Sequence, residues 1–496
     1  MSEEMMTIIE SIDLPEGEVE GERSDPSAEP TGRANVGVLV GMAMAVIGMG
    51  FGASRVADNS FLTHLATGRE MLDHGVVRND VFTWTSQGES IVVQSWLASL
   101  LYGVVDELAG FHGLRLLTAL LGAVLGAMAW RMTKSQPSII TRVAVMVPAL
   151  AIGYLNWGER PLLIAFVFFA SMILIAEGDG RPRWLLVIGV LWINVHGSWP
   201  LGIVYLVSRI AGGFGDREDT QRERDSLKYL GVGMLLGGIF NPYGPAMLLF
   251  PLDLLGRQEV LSHVVEWQSP SFASTWTRAF LLMVLAAFAA LMQNPKWRHA
   301  LPTMIFVAAA LVGRRNIALA SLVMLPVLAA GLPAIGRLAA ARTSEAIRMA
   351  TFAFAAMLVI VPLTAVSGPH VDVDRFPEDA VTAMELELGL APGETRIIHQ
   401  DFVGNYLDIR YGGSGAGVSW IDDRFELHDV SLVNDYITLL DAGPAWPDIL
   451  NRYDAEAILW PSDAALVSLA RDIGGWDEVW SDEDWTVLRA PGHTAS

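Results

Sequence analysis

The chain has 496 residues, 52% of them hydrophobic and 18% charged, with a mean hydropathy of +0.39; this composition excludes an ordinary soluble protein and points to a polytopic membrane protein. It contains no cysteine, which excludes disulfides, Cys-ligated zinc, iron–sulfur clusters and thiol chemistry, and leaves carboxylates, His, Arg and Lys to carry any catalysis. The net charge of −21 sits at the ends: residues 1–34 hold 10 acids and 2 Arg, residues 368–496 hold 25 acids and 7 Arg, and the stretch between them holds 19 acids and 24 bases, which argues against a nucleic acid partner.

The chain divides into three parts. Residues 1–35 form an acidic tail rich in Glu, Pro and Gly, expected to be disordered and unlike a signal peptide, which starts basic and turns apolar. Residues 36–367 read as the membrane domain, with apolar runs at roughly 36–54, 113–130, 139–156, 161–177, 184–195, 199–212, 229–240, 278–293, 300–313, 317–336 and 349–367, about eleven spans. Several runs are shorter than the ~20 residues that a lone spanning helix needs. Irregular backbone is expected at Asn194–Trp199 and Asn241–Gly244, lining a cavity rather than facing lipid.

The connections 129–142, 179–184, 209–228, 294–299 and 337–348 carry 15 basic residues against 9 in the opposite set and its borders. The richer set is expected in the cytoplasm, with the N-terminus inside and the C-terminal region outside. One long helix over 184–212 is the alternative, and it would move every later loop across the membrane.

The first outer loop, 55–112, is long. Phe61, Leu62, Leu65 and Leu72 fall near one helical face that ends at Gly75, and Leu97, Leu100, Leu101, Val104 and Leu108 repeat at helical spacing up to Gly110. Both segments read as amphipathic helices on the outer membrane surface, framing the turn-rich stretch 78–90. Residues 368–496 alternate between short apolar runs and amphipathic segments. Strands are expected in TRIIHQ, GVSWI and AEAILWP, helices in EDAVTAMELEL, AWPDILNRY and AALVSLARDI, and a terminal hairpin turned by Ser481–Asp484. That pattern predicts a small α/β domain on the outer face.

Few residues are placed to carry chemistry. Asp58 follows the first span; it can cap a helix or serve as a base. His64, two turns further on, is either an interfacial His or a substrate contact. Glu159-Arg160-Pro161 makes a normal helix start, yet an outer Arg at the boundary opposes the positive-inside bias and invites an anion such as phosphate. Gly313-Arg314-Arg315-Asn316 repeats the pattern, with snorkelling to headgroups as the plainer role. Asn194, His196 and Ser198 put polar groups where hydropathy places membrane, as a site or as a helix break. Glu266-Trp267 reads as a loop docking onto the core, or as a second acid. Walker A, GxGxxG, HExxH and GxSxG motifs are missing from the sequence, so nucleotide hydrolysis, dinucleotide redox and serine esterase chemistry lose their usual support.

An acid directly after the first span, a long outer loop with two helices, about eleven spans and an outer C-terminal domain together resemble the GT-C-type membrane glycosyltransferases. Asp58…His64-Leu65…Gly68, Arg78-Asn79-Asp80-Val81-Phe82-Thr83 and Gln94-Ser95-Trp96-Leu97 resemble, more narrowly, a large bacterial family of multi-spanning proteins of uncharacterised function. Arg160-Pro161, Asn194-x-His196-Gly197, Asn241-Pro242-Tyr243-Gly244, Glu266-Trp267 with Ser269-Pro270, Arg315-Asn316 and Asp423-Arg424 also look like that family's recurring words. The likeness runs from residue 36 onward. Ser60, Thr63 and Val81 depart from it, standing where Asp, Trp and Pro are common; without the second Asp a divalent metal is possible but not indicated, and the cofactor is left open.

The resemblance implies a hexosyl- or pentosyltransferase of the plasma membrane. It would take sugar from a polyprenyl-phosphate donor, among membrane lipids, to a glycan or protein acceptor on the outer face. Asp58 would be the base with His64 as its helper, Arg160, Arg314 and Arg315 would hold the phosphate, and Glu159, Asn194, His196, Glu266 and Asn316 would line the substrate site. A non-enzymatic transporter or flippase of a lipid-linked glycan is the rival reading.

Overall fold

The computed structural model describes residues 31–54, 58–257, 260, 264–335, 351–360, 376–413 and 417–492, with side chains from residue 36. The tail 1–30, the whole 337–348 connection and the 361–375 boundary expected around 368 lie outside the described residues. What is described is mostly helical, with one small mixed sheet. Four helices are long and apolar enough to cross a membrane by length and composition: Trp96–Met132, Ile139–Asn156, Thr275–Gln293 and Arg314–Gly331. The other apolar runs also fall on helices as far as they are described, several of them shorter, such as Pro161–Ala176 and Trp184–Val195.

Helix α1 (Thr31–Gly52) packs along the second half of α3 (Trp96–Met132). Glycines set the spacing: a Cβ on Gly48 would stand 2.2 Å from the Gly122 carbonyl oxygen, and one on Gly126 would stand 2.3 Å from that of Met44. Gly48 and Gly52 on one helix and Gly122 and Gly126 on the other are small-xxx-small pairs that bring two backbones together.

The short helices survive because neighbours surround them. Helix α5 (Pro161–Ala176) is buried along nearly its whole length. Its Ser171 hydroxyl returns to the Val167 carbonyl at 2.7 Å, and its Phe169 ring packs with Trp192, Tyr205 and Phe306. Helices α6 (Trp184–Val195) and α7 (Trp199–Asp216) are separate, divided by extended backbone at His196 (φ −161°, ψ 139°). The second expected break, Asn241–Gly244, separates α8 (Gln221–Ile239) from a helix that hydropathy missed, α9 (Ala246–Gly256).

Polar contacts sort the connections to two ends of the helix bundle. At one end Arg131 pairs with Asp179, Arg222 donates to the carbonyls of Ile175 and Gly180, Arg298 pairs with Glu218, and Ser138 donates to the Ile335 carbonyl. These join the connections that sequence grouped as the basic set, and they make α6 and α7 an antiparallel pair rather than one long helix. The other end carries the first loop and the C-terminal region.

The first loop departs from expectation. Its first helix, α2 (Asn59–His74), buries Phe61, Leu62 and Leu65 against protein: Tyr102 and Leu114 on one side, Phe376, Phe402 and Tyr406 on the other. Leu72, Leu101 and Leu108 point outward and are exposed. The expected second surface helix runs on into the span behind it, with the turn marked only by Gly110 (φ 58°, ψ −158°), a conformation that only glycine adopts readily.

In the C-terminal region the sheet order is β1 (Ile397–His399), β2 (Ala457–Pro461), β4 (Trp485–Arg489), β3 (Asp477–Ser481). The first pair is parallel and the other two antiparallel. Alternating residues feed a core on each face, with Ile398, Ile458 and Leu488 on one and Ile397, Leu459 and Val487 on the other. The expected helices form at Glu378–Leu386, Trp446–Arg452 and Ala465–Asp472. GVSWI is not a strand: Ser419 makes a single bridge to Thr83, because its backbone partner is the 78–90 turn rather than a neighbouring strand. Two helices were not anticipated, Asp401–Tyr411 and Val430–Leu440.

Candidate functional site

The start of α2 and the start of α5 meet. Asp58 has extended backbone and accepts the Ser60 N–H at 3.0 Å, so it is the N-cap. Its other oxygen pairs with Arg160 Nε, and its own N–H donates to Glu159 Oε1 at 3.0 Å. Arg160, the residue before Pro161, extends a second nitrogen to Glu266 on the turn Val265–Trp267. Asp58, Glu159, Arg160 and Glu266 therefore form one cluster, drawn from three stretches of chain. Beside it the Arg315 guanidinium lies 4.3 Å over the Trp267 ring.

This cluster borders a cavity of about 170 Å³ between the bundle and the C-terminal region. Five residues singled out by sequence line it: His64, Arg160, His196, Glu266 and Arg315. The opposite wall comes from Asp423, Arg424, Phe425 and Glu426. Asp423 accepts from the Ser60 hydroxyl and, at 3.4 Å, from that of Thr63. Asn405 accepts the Asp423 backbone N–H at 3.2 Å. Two of the departures from the family pattern, Ser60 and Thr63, thus meet the carboxylate of a residue some 360 positions away in sequence.

Arg424 is anchored from behind. Its Nη2 bonds Asp80 Oδ1 at 3.0 Å and also pairs with Asp422, which His428 contacts at 3.1 Å on its other oxygen. Asp80 belongs to the turn-rich 78–90 stretch, so the ion pair fastens the first loop to the C-terminal region. The backbone adds to it: Val418 N–H donates to the Phe82 carbonyl at 2.7 Å and Trp84 N–H to that of Ser419 at 3.0 Å. One Arg424 nitrogen, Nη1, is buried without a hydrogen-bond partner.

Burial governs the electrostatics. It lowers the His64 imidazole to about 3, with Arg160 and Arg424 acting in the same direction, so His64 is neutral at pH 7, within 3.2 Å of the Ser99 hydroxyl. Burial raises the Asp423 carboxyl to about 7 against the pull of Ser60 and Arg160. Burial also opposes ionisation of Asp422, but Arg424 and His428 outweigh it and hold that carboxyl well below the usual range. Asp408, buried and beside Asp422, is pushed well above that range.

The remaining candidates stand off the cavity. Asp58 and Glu159 lie behind Arg160 rather than on the wall. Asn194 accepts from the Trp96 indole at 2.8 Å and donates to the carbonyls of Val190 and Gly237, which satisfies a buried helix end. Arg314 lies over the Trp276 ring, and Asn316 donates to the Ala309 carbonyl. Asp423 and Glu426 were not picked as site residues from sequence, although the run Asp422-Asp423-Arg424-Phe425-Glu426 puts three acids in five residues directly after the apolar Trp420-Ile421. Among the described residues no group of three or more His, Asp or Glu is placed to hold a metal ion. No family model matches the chain, and no curated protein matches it.

Proposed function

We propose that the protein is a multi-pass transferase of the plasma membrane, GT-C-like with about eleven spans, that moves a sugar from a polyprenyl-phosphate donor to a hydroxyl acceptor on the outer face. In this reading the N-terminus is cytoplasmic and the cavity opens outside. One observation carries it: three guanidinium side chains, Arg160, Arg315 and Arg424, line one small cavity. A phosphate would accept hydrogen bonds from such groups, and the three guanidiniums would share the charge that develops as it leaves.

The parts then take roles. Asp58 and Glu266 hold Arg160 toward the cavity. His64, neutral, offers a hydrogen-bond contact to substrate without competing for the phosphate as an anion would. The volume, below the ~300 Å³ at which drug-sized pockets begin, suits a phosphate with its first sugar better than passage of a whole lipid-linked glycan. Leading such a transferase, the apolar helices would admit the prenyl chain and the C-terminal region would present the acceptor.

The test is turnover by the full chain in nanodiscs, supplied with polyprenyl-phosphate hexoses and pentoses carrying labelled sugar and with water or simple glycans as acceptors. Release of free polyprenyl phosphate with one of these donors is expected. Movement of the labelled lipid between leaflets without cleavage would instead favour the flippase.

A further inference from the structure

We infer that Asp423 is the proton acceptor of this transfer, a role that rests on the reading of the cavity as a phosphate-linked sugar site. Three carboxyls line the cavity and two more, Asp58 and Glu159, stand behind Arg160; all but Asp423 are otherwise engaged, Glu159 by the Asp58 N–H. Asp58 spends one oxygen on the Ser60 N–H and the other on Arg160. Glu266 is paired with Arg160 as well. Glu426 is folded onto its own backbone N–H.

Asp423 differs in what it touches. Both its oxygens face hydroxyl groups, Ser60 and Thr63, and no Arg or Lys pairs with it among the described residues. A third hydroxyl, from an acceptor entering the cavity, would meet the same oxygens. The groups around it are Arg160, Arg315 and Arg424, the carboxyls of Glu266 and Glu426, the rings of His64 and His196, and behind it Asp422 and Asp401. Arg160, at the start of α5, lines the wall across from the carboxyl, and Arg424 stands beside it on its own wall.

The step balances. The acceptor oxygen bonds to the anomeric carbon as its proton passes to an Asp423 oxygen. The bond from that carbon to the phosphate oxygen breaks, and the phosphate leaves with the electron pair against the guanidiniums. Asp423 then returns the proton to water. Its carboxyl, raised to about 7, sits where a general base is most effective at neutral pH.

The experiment follows release of polyprenyl phosphate from the labelled donors across pH 5 to 9 for the wild-type chain, Asp423→Asn and Asp423→Glu, together with affinity for unsubstituted polyprenyl phosphate. In the wild type the rate is expected to rise with pH through about 7 as the carboxyl ionises. Asp423→Asn is expected to lose about 100-fold or more in kcat and to flatten that profile while binding polyprenyl phosphate as before, and Asp423→Glu to recover part of the rate. Wild-type turnover matched by Asp423→Asn, with the same pH profile, would overturn the role and leave the transferase reading standing. Loss of polyprenyl phosphate affinity in Asp423→Asn would make the residue structural and overturn the role too. No turnover by the wild type would overturn both.

Discussion

At the scale of single residues, the site is built from charges that hold one another, and Arg424 is the central one. It pairs with both Asp422 and Asp80 and also lines the cavity. Removing one partner of a buried pair leaves a buried charge uncompensated, at a cost of about 3–5 kcal/mol. Arg424→Ala is therefore expected to lower thermal stability strongly at pH 8. Asp422 is depressed in the native protein, so its contribution is present above the ordinary carboxylate pKa and is kept on mild acidification. In the variant Asp422 can take up a proton instead, and the deficit is expected to shrink between pH 8 and pH 5. A deficit that is small, or constant with pH, would mean that the pair carries little. Part of this cluster was legible: Asp58 as a helix cap, and Arg160 and Arg315 as cations set apart from the basic connections, follow from local pattern. Asp423 appeared only in the recurring word Asp423-Arg424 and was given no role, because its partners Ser60 and Thr63 are brought to it only by the docking of the C-terminal region on α2.

At the scale of elements, the bundle depends on backbones that touch. Gly48 and Gly122 face each other across one contact, so Gly48→Ala and Gly122→Ala should each destabilise by about 1–3 kcal/mol through overpacking. Since both act at the same contact, the double variant is expected to fall short of the sum. Additive losses in thermal unfolding would show that the two glycines act separately. Helix positions in this part were readable because long apolar runs need little else to declare them. Three helices escaped: Ala246–Gly256, Asp401–Tyr411 and Val430–Leu440. The last two alternate apolar and polar residues at spacings that a strand-and-helix reading could pass over, and their apolar faces are explained only by tertiary partners. GVSWI failed in the opposite sense. Its composition favours a strand, but β1 pairs with β2 and leaves Ser419 to the 78–90 turn.

For the whole molecule, two ends emerge, one rich in basic connections and one holding the cavity. By the basic bias the first is expected to be the cytoplasmic one. Reporter fusions at residues 220 and 400 are expected on opposite sides of the membrane, and a shared side would overturn that arrangement. The grouping of the connections was legible from Lys and Arg counts, since the bias acts on sequence directly. That the first loop is gripped by the C-terminal region, with Asp80 buried under Arg424, was not, because it depends on contacts between stretches more than 300 residues apart. The claim on which everything else rests is that the cavity's guanidiniums hold a phosphate. The direct measurement is the affinity of the full chain in nanodiscs for polyprenyl phosphate and for the uncharged polyprenol, in the wild type, Arg160→Lys and Arg315→Ala. Hydrogen bonds to charged groups contribute about 1.5–3 kcal/mol, so the wild type should prefer the phosphate, and each variant should lose about 10- to 100-fold of that preference while binding polyprenol unchanged. Equal affinity for phosphate and alcohol in the wild type, or three equal phosphate affinities, would contradict it.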